Sequence, residues 1–300
     1  MLAARWPSTK PKRRWRWAVL AAILVAPTLV TTSGSWAGAG PILYGATGQQ
    51  AVSDLLVLDP ATGALADTVG PMGHGFSGLA FNPVDGQLYG ATTFDGTATA
   101  RLLVRVDPAT GAVTVIGPFG VDAIADLAFA PDGTLYGWVE PGSDDLATID
   151  LATGAATIVG DSGLDTFGGG LEYDAASDRL LLAGNGSNGE LHALDPATGA
   201  ATVVSTLDDP GGDAVSALAF GCDGTLFGVL LEQDTSDRLS RLATIAPDSG
   251  AVTAVGPSVN GLDAIEWSCA VAPPPEPPAP EPPAPGAAVP VLVVQARFTG

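Results

Sequence analysis

One short motif recurs through the chain and constrains its fold more than any other feature. Its form is Asp-Pro-Ala-Thr-Gly, and the five copies are Asp59–Gly63, Asp107–Gly111, Asp150–Gly154, Asp195–Gly199 and the divergent Ala246–Gly250. Their closing glycines lie 48, 43, 45 and 51 residues apart. A repeat of this length, flanked by strand-like runs, is typical of β-propellers and similar arrays.

Each repeat unit contains four predicted strands. In the unit spanning residues 77–117, the apolar runs 78–81, 88–92, 102–106 and 112–116 are separated by segments rich in Gly, Pro and Asp. Pro presets the backbone for a turn and Gly accepts a positive φ, so these segments predict tight turns between short strands. Four strands per repeat correspond to one propeller blade.

The two ends of the repeat region complement each other. The first unit starts at Leu43 and lacks a first strand, whereas residues 264–269 follow the last unit and align with the first strand at 217–222. We therefore predict an all-β fold: a single five-bladed β-propeller of four-stranded blades, with a C-terminal strand completing the N-terminal blade. An open β-solenoid is the alternative, but it does not explain the complementary ends.

Residues 1–39 have the features of a secretion signal peptide. Six Lys and Arg residues precede a 13-residue apolar stretch at 18–30, and Ala37-Gly38-Ala39 offers a cleavage site. The apolar stretch is short for a bilayer span, although an uncleaved anchor is the alternative. We expect an exported protein that is secreted, periplasmic or on the cell surface, without direct membrane insertion of the mature chain.

The remaining chain divides into three predicted parts. Residues 40–271 form the propeller, 272–286 a Pro-rich linker and 287–300 a short tail of unknown role. Nine of the thirteen residues from Pro273 to Pro285 are proline, which predicts an extended spacer.

The charge balance excludes one class of partner. The chain has 32 acidic and 12 basic residues, and six of the basic residues lie within the signal peptide. Nucleic-acid binding requires a basic surface, so nucleic acid is excluded as a partner. We expect a monomer that binds an unknown protein, a glycan or a cationic ligand.

Two cysteines, Cys222 and Cys269, occupy the same place in two aligned first strands. Ring closure would make these strands neighbours, and an exported chain permits a disulfide. Free buried thiols are the alternative, because neighbouring inner strands can lie too far apart for a bridge.

The blade-to-blade crossings vary, and variable loops on a rigid scaffold usually carry function. Each crossing holds one candidate ligand- or metal-binding residue: His74, Asp122, Asp165, Asp213 and Asp263. Fivefold symmetry would place them in a loose acidic ring at the channel mouth, near Phe94, Trp138, Glu140, Asp144 and Asp145. Carboxylate oxygens suit Ca²⁺ better than Zn²⁺, so Ca²⁺ is the candidate ion, although no cofactor is required. The alternative is that these acids serve local capping and solubility.

The sequence contains no catalytic motif, and we expect a protein that is not an enzyme. Glu172 and Glu266 stand where other first strands carry alanine, which suggests either a glycosidase-like carboxylate pair or structural pairing with Arg179, Arg238 or Arg241. There are two histidines, His74 and His192, and the latter fits a half-buried strand position. A nucleophile-elbow motif is absent.

The strings LAFAPDGTLYG and LATIDLATGAATIVG, within residues 127–160, resemble exported bacterial β-propeller repeat proteins of the broad NHL/YVTN/PQQ-like type. The resemblance implies the propeller fold, and such relatives are mostly uncharacterised secreted or surface proteins. Our first functional expectation is a secreted or surface-exposed non-enzymatic scaffold that binds a partner or ligand through its variable loop face. The alternatives are a metal-dependent propeller hydrolase or lactonase with an acidic channel-mouth site, and a structural surface-display module.

Overall fold

Short β-branched and leucine-rich runs form every regular element of the described chain. The computed structural model describes residues 40–48, 52–93, 101–140, 144–165, 169–184, 189–209, 211–232 and 238–269. Within these ranges there is no helix, and the strands are β1 (Ile42–Thr47), β2 (Asp54–Leu58), β3 (Leu65–Pro71), β4 (Phe76–Phe81), β5 (Leu88–Thr92), β6 (Leu102–Val106), β7 (Val113–Pro118), β8 (Ala123–Phe129), β9 (Leu135–Glu140), β10 (Asp145–Ile149), β11 (Ala156–Asp161), β12 (Gly169–Asp174), β13 (Arg179–Gly184), β14 (Glu190–Leu194), β15 (Ala201–Thr206), β16 (Ala214–Phe220), β17 (Leu226–Leu231), β18 (Ser240–Ala246), β19 (Ala251–Pro257) and β20 (Leu262–Ser268).

The strands form five four-stranded antiparallel sheets, which confirms the predicted five-bladed propeller. Blade 1 consists of β20, β1, β2 and β3; blades 2 to 5 are β4–β7, β8–β11, β12–β15 and β16–β19. The first strand of each blade is innermost. Turns between first and second strands and between third and fourth strands lie on one side, here called the turn face. The loops between second and third strands and the blade crossings lie on the other, the crossing face.

The C-terminal strand closes the ring, as the complementary ends predict. β20 pairs antiparallel with β1 along its length, from Ile42 opposite Ser268 to Thr47 opposite Leu262. Leu262 and Ile265 are fully buried and pack against residues of blades 1 and 5. The strand thereby covers the inner edge of β1, which would otherwise expose unpaired backbone groups.

The recurring pentapeptide is the contact between blades at the outer rim. In four copies the aspartate accepts a hydrogen bond from the amide two residues later, as Asp150 Oδ1 does from Ala152 N at 2.7 Å. The closing glycine of each turn then lies on the outermost strand of the preceding blade. A Cβ added at Gly154 would lie 2.5 Å from Gly117 O, and Gly111 and Gly199 stand equally close to Gly70 O and Gly160 O. The uniform turns therefore have a structural role.

The junction between blades 4 and 5 departs from this pattern at both partners. Ser205 stands where other outer strands carry glycine, and it meets the divergent copy of the motif. Its hydroxyl donates a hydrogen bond to Pro247 O at 2.6 Å. Arg179 of blade 4 also pairs with Asp248 of that turn, at 3.2 Å. The pair is largely exposed and contributes little, so the serine hydrogen bond is the main addition at this junction. The glycine contact persists, because a Cβ on Gly250 would clash with Thr206 O.

The predicted disulfide between Cys222 and Cys269 is present. The two residues follow β16 and β20 directly, and their Cα atoms are 5.4 Å apart, inside the usual range for a bridge. It joins the inner strands of blades 5 and 1, where the ring closes. Both half-cystines are exposed on the turn face.

Replacing both cysteines by serine should lower the free energy of unfolding by about 2–5 kcal/mol, because the bridge restricts the unfolded chain across a 47-residue separation. Urea denaturation of oxidised wild type against Cys222→Ser/Cys269→Ser measures this loss. Wild type reduced with dithiothreitol serves as the control and should match the variant. Equal midpoints for oxidised wild type and variant would contradict the prediction.

The signal peptide, the Pro-rich linker and the tail lie outside the described residues, so those predictions stay as predictions. Among the residues that are described, no helix is long and apolar enough to cross a membrane.

Candidate binding site at the mouth of the central channel

In every blade the crossing-face loop is tied to the crossing that follows it. A carbonyl near the end of the loop accepts a hydrogen bond from the crossing: the accepting residues are Ser53, Arg101, Asp144, Gly189 and Arg238. Three of them are non-glycine residues with positive φ, namely Arg101 at 73°, Asp144 at 50° and Arg238 at 45°. Such conformations are costly and concentrate at functional sites. The ties hold charged residues at fixed positions on this face.

Three members of the predicted ring are accessible. His74 is partly buried and precedes β4, while Asp122 and Asp165 are exposed. Asp122 pairs with Arg101 at 3.4 Å. Arg101 belongs to the loop before β6, and Asp122 belongs to the crossing before β8. This face therefore presents an ion pair at the position where the sequence predicts an unpaired carboxylate.

The other two members are enclosed. Asp213 forms an ion pair with Arg241, and its own amide donates to Asp209 at 2.9 Å. Asp263 lies against Gly48, which has no side chain to fill this space. Burial raises the pKa of Asp263 to about 7; the nearby Arg238 charge opposes the shift and Glu140 adds to it. Residues of blades 1, 3 and 5 thus meet electrostatically at the mouth.

The structure therefore distributes the predicted ring over several local environments. Within the described ranges, no group of three or more His, Cys, Asp or Glu side chains is arranged to hold a metal ion. The mouth is instead a mixed surface in which arginines accompany the acids. Local capping of the kind considered for these acids is made by Asp209, which lies outside the predicted ring and accepts a hydrogen bond from the Asp213 amide.

Below the mouth, polar side chains connect the inner strands of neighbouring blades. Ser77 of blade 2 donates to Ile124 O of blade 3 at 2.6 Å. Ser216 of blade 5 donates to Leu262 O of blade 1 at 3.3 Å. The inner edge of each first strand has no further strand to pair with, so these hydroxyls satisfy backbone groups that face the lumen.

Asp126 also connects two inner strands, those of blades 3 and 4. Its carboxyl group accepts hydrogen bonds, whereas the serine hydroxyls donate them. Its carboxyl accepts from its neighbour Leu127 N at 2.8 Å and from Leu171 N of blade 4 at 2.9 Å. It also bonds the backbone of Leu218 in blade 5. Gly78 of blade 2 makes room for it, because a Cβ there would lie 2.7 Å from Asp126 Oδ1. One fully buried side chain thus contacts four blades.

Glu172 and Glu266 are two further carboxyl groups that connect the inner strands of neighbouring blades. Glu172 accepts from Tyr173 N at 2.9 Å and from the Phe220 backbone of blade 5. Glu266 bonds the backbone of Trp267 and of Phe81 in blade 2. The predicted pairing with arginine is wrong for Arg179 and Arg241, which bind other aspartates. Amides at the unpaired strand edges take the place of the arginines.

Enclosure in the channel changes the acidity of these three carboxyls. Burial is the largest cause for each: it raises the pKa of Glu172 to about 8 and raises the pKa of Asp126 and Glu266 well above the usual range. The charges of Glu172 and Asp126 further raise the pKa of Glu266, while amide hydrogen bonds oppose all three shifts. Lumen water reaches part of Glu172 and Glu266, which reduces the size of their shifts but not the direction.

Two further positions refine the sequence interpretation. His192 is a strand residue as predicted, but it is 5% exposed and so fully inside the sheet packing. Burial lowers its pKa, against the opposing charge of Glu190. Asp126 was not identified from the sequence, although an aspartate inside the apolar run of residues 123–129 was the available signal.

A family model described as a repeat of unknown function, DUF6923, matches residues 66–221. No curated protein matches the chain.

Among solved structures, a chain of the nidogen/laminin complex is 13% identical with a TM-score of 0.52, covering 76% of this chain and 98% of that one. A structural genomics protein from Bacteroides thetaiotaomicron VPI-5482 is 15% identical with a TM-score of 0.48, covering 74% and 64% of the two chains. Hydrazine synthase of Kuenenia stuttgartiensis is 17% identical with a TM-score of 0.43, covering 62% and 50%. The nidogen/laminin likeness supports the fold alone. The family match spans slightly more than half of the chain and includes blades 2, 3 and 4 in full. The chain is a β-propeller repeat protein that belongs to the DUF6923 repeat family.

Proposed function

We propose that this chain is an exported, non-enzymatic propeller scaffold that binds a partner or ligand through its crossing face. The observation that carries the proposal is the unequal use of the two faces. On the turn face, the recurring pentapeptide is used in contacts between blades. On the crossing face, loops of different sequence hold charged side chains at fixed, strained positions.

Two further observations support the proposal. The fold recurs in a chain of the nidogen/laminin complex, which is an assembly of two proteins. The disulfide at the ring closure fits an oxidising compartment. The scaffold requires no resident cofactor. The ligand class we favour is cationic, because Asp165 is exposed on this face and the side chain of Asp122, although it pairs with Arg101, stays 70% exposed.

The test measures binding of a hexalysine peptide by isothermal titration calorimetry. Asp122→Asn/Asp165→Asn should weaken binding about 3–10-fold, since each exposed carboxylate contributes up to about 1 kcal/mol to such a contact. The matched control is Asp85→Asn/Asp223→Asn on the turn face. Those two carboxylates accept hydrogen bonds from amides two residues later, which asparagine can also accept.

The control variant should bind as wild type does. Equal weakening by both variants would show attraction to overall charge and contradict a crossing-face site. Absence of binding by wild type would exclude the cationic ligand class.

A further inference from the structure

The three channel carboxyls share an arrangement that satisfies hydrogen bonds but leaves charge uncompensated. Asp126, Glu172 and Glu266 each bond an amide of their own strand and one of the next blade. Within the described residues, none of them forms an ion pair with arginine. Their electrostatic neighbours are acids: each other, and Asp174 beside Glu172. Asp174 itself is paired with Arg179.

Each of these three carboxyl groups lies at a junction between two blades, so its ionisation affects how the blades of the ring hold together. Glu266 connects blade 1 to blade 2, Asp126 blade 3 to blade 4, and Glu172 blade 4 to blade 5. The two remaining junctions use neutral hydroxyls, Ser77 and Ser216. Three of the five inner junctions therefore depend on groups whose charge changes with pH.

We propose that these carboxyls form a proton-dependent lock of the propeller, which is tight when they hold protons and loosens when they ionise together. A neutral carboxyl still accepts an amide hydrogen bond through its carbonyl oxygen. Several carboxylates in one enclosed lumen repel each other. Within the part of the chain that the structure describes, no arginine pairs with them to offset this repulsion. The lock thus favours mildly acidic surroundings.

The direction of the pH effect follows from proton linkage. The pKa of Glu172 rises from an ordinary 4.5 to about 8 on folding, so between these values the folded chain holds a proton that the unfolded chain has released. Stability is therefore full below the unfolded pKa and is lost as pH rises through the folded pKa. Ordinary Asp and Glu side chains are ionised by pH 6, and Asp263, with its pKa of about 7, is mostly ionised by pH 8. A loss of stability that continues between pH 8 and 9 therefore reports the lock.

The first experiment is urea denaturation of the full chain from pH 6.5 to 9. The unfolding equilibrium constant of wild type should rise with pH, by up to tenfold per pH unit for each carboxyl that titrates. Glu172→Gln/Glu266→Gln should remove most of this dependence. Glu232→Gln, which removes a charge at the loop after β17, should keep it. A flat wild-type profile, or an unchanged slope in the double variant, would overturn the proposal.

A second measurement does not depend on the folding of any variant. Infrared spectra of wild type in heavy water should show a protonated-carboxyl band near neutral pD that weakens as pD rises through about 8, the pKa of Glu172. Absence of that band near neutrality would also overturn the lock.

Discussion

A chain ending at Gly261 is expected to lose cooperative unfolding and to elute as an aggregate. The deletion removes β20, whose Leu262 and Ile265 are fully buried, and exposes the inner edge of β1. Burial of two large aliphatic side chains contributes about 3–6 kcal/mol, and loss of the disulfide partner removes about 2–5 kcal/mol more. The sum is comparable to the entire stability of a typical domain. Thermal melting by circular dichroism and gel filtration measure the outcome.

A chain ending at Cys269 is the matched control, because it keeps β20 and lacks only residues 270–300. It should melt like the full chain. A synthetic peptide of residues 262–268 should partly restore cooperative melting to the shorter chain. Equal melting of the two truncated chains would show that the ring does not depend on β20.

Gly154→Ala should cost roughly 2–5 kcal/mol of unfolding free energy. Gly154 has a φ of +80°, and an added Cβ would meet Gly117 O of the preceding blade at 2.5 Å. The left-handed conformation costs alanine about 1–2 kcal/mol, and forcing the two backbones apart costs about 1–3 kcal/mol more. Urea denaturation gives both the free energy of unfolding and its dependence on urea concentration, the m-value.

Gly120→Ala separates the two effects. Gly120 has a φ of +75°, but nothing lies within 4 Å of an added Cβ. This variant should lose about 1–2 kcal/mol, the conformational part alone. If both variants lose the same amount, contact between blades at the turn does not contribute, and the structural role assigned to the pentapeptide is wrong.

Most of the fold could be predicted from the sequence because it repeats. The runs at 88–92 and 102–106 are strands with those bounds, and the complementary ends predicted the pairing of β20 with β1. The disulfide followed from the same alignment. These inferences depend on patterns along the chain, which a repeat presents several times.

The site was less predictable because its contacts join residues whose proximity depends on the loops. Asp213 and Arg241 are 28 residues apart, and Asp122 and Arg101 are 21 apart. No periodic pattern connects them, so the acids appeared unpaired. The sequence suggested a glycosidase-like pair or pairing with arginine for Glu172 and Glu266 for a related reason. The unpaired amides that bind them belong to inner strand edges, which form only when the blades assemble around the lumen. Asp126 escaped notice because its partners belong to other blades.

The junctions between inner strands differ from those at the outer rim in how much the contacting residues vary from one pair of blades to the next. At the rim, nearly the same glycine contact recurs from junction to junction, and the junction between blades 4 and 5 adds a hydrogen bond from Ser205. At the inner strands, successive junctions use Glu266, Ser77, Asp126, Glu172 and Ser216, each bonding a particular amide or carbonyl of the next blade. The partners are backbone groups at equivalent positions of successive first strands, so the side chain decides which junctions carry a titratable group. A circular permutant keeps every pair of neighbouring blades, so these five bonds should persist wherever the ring is opened.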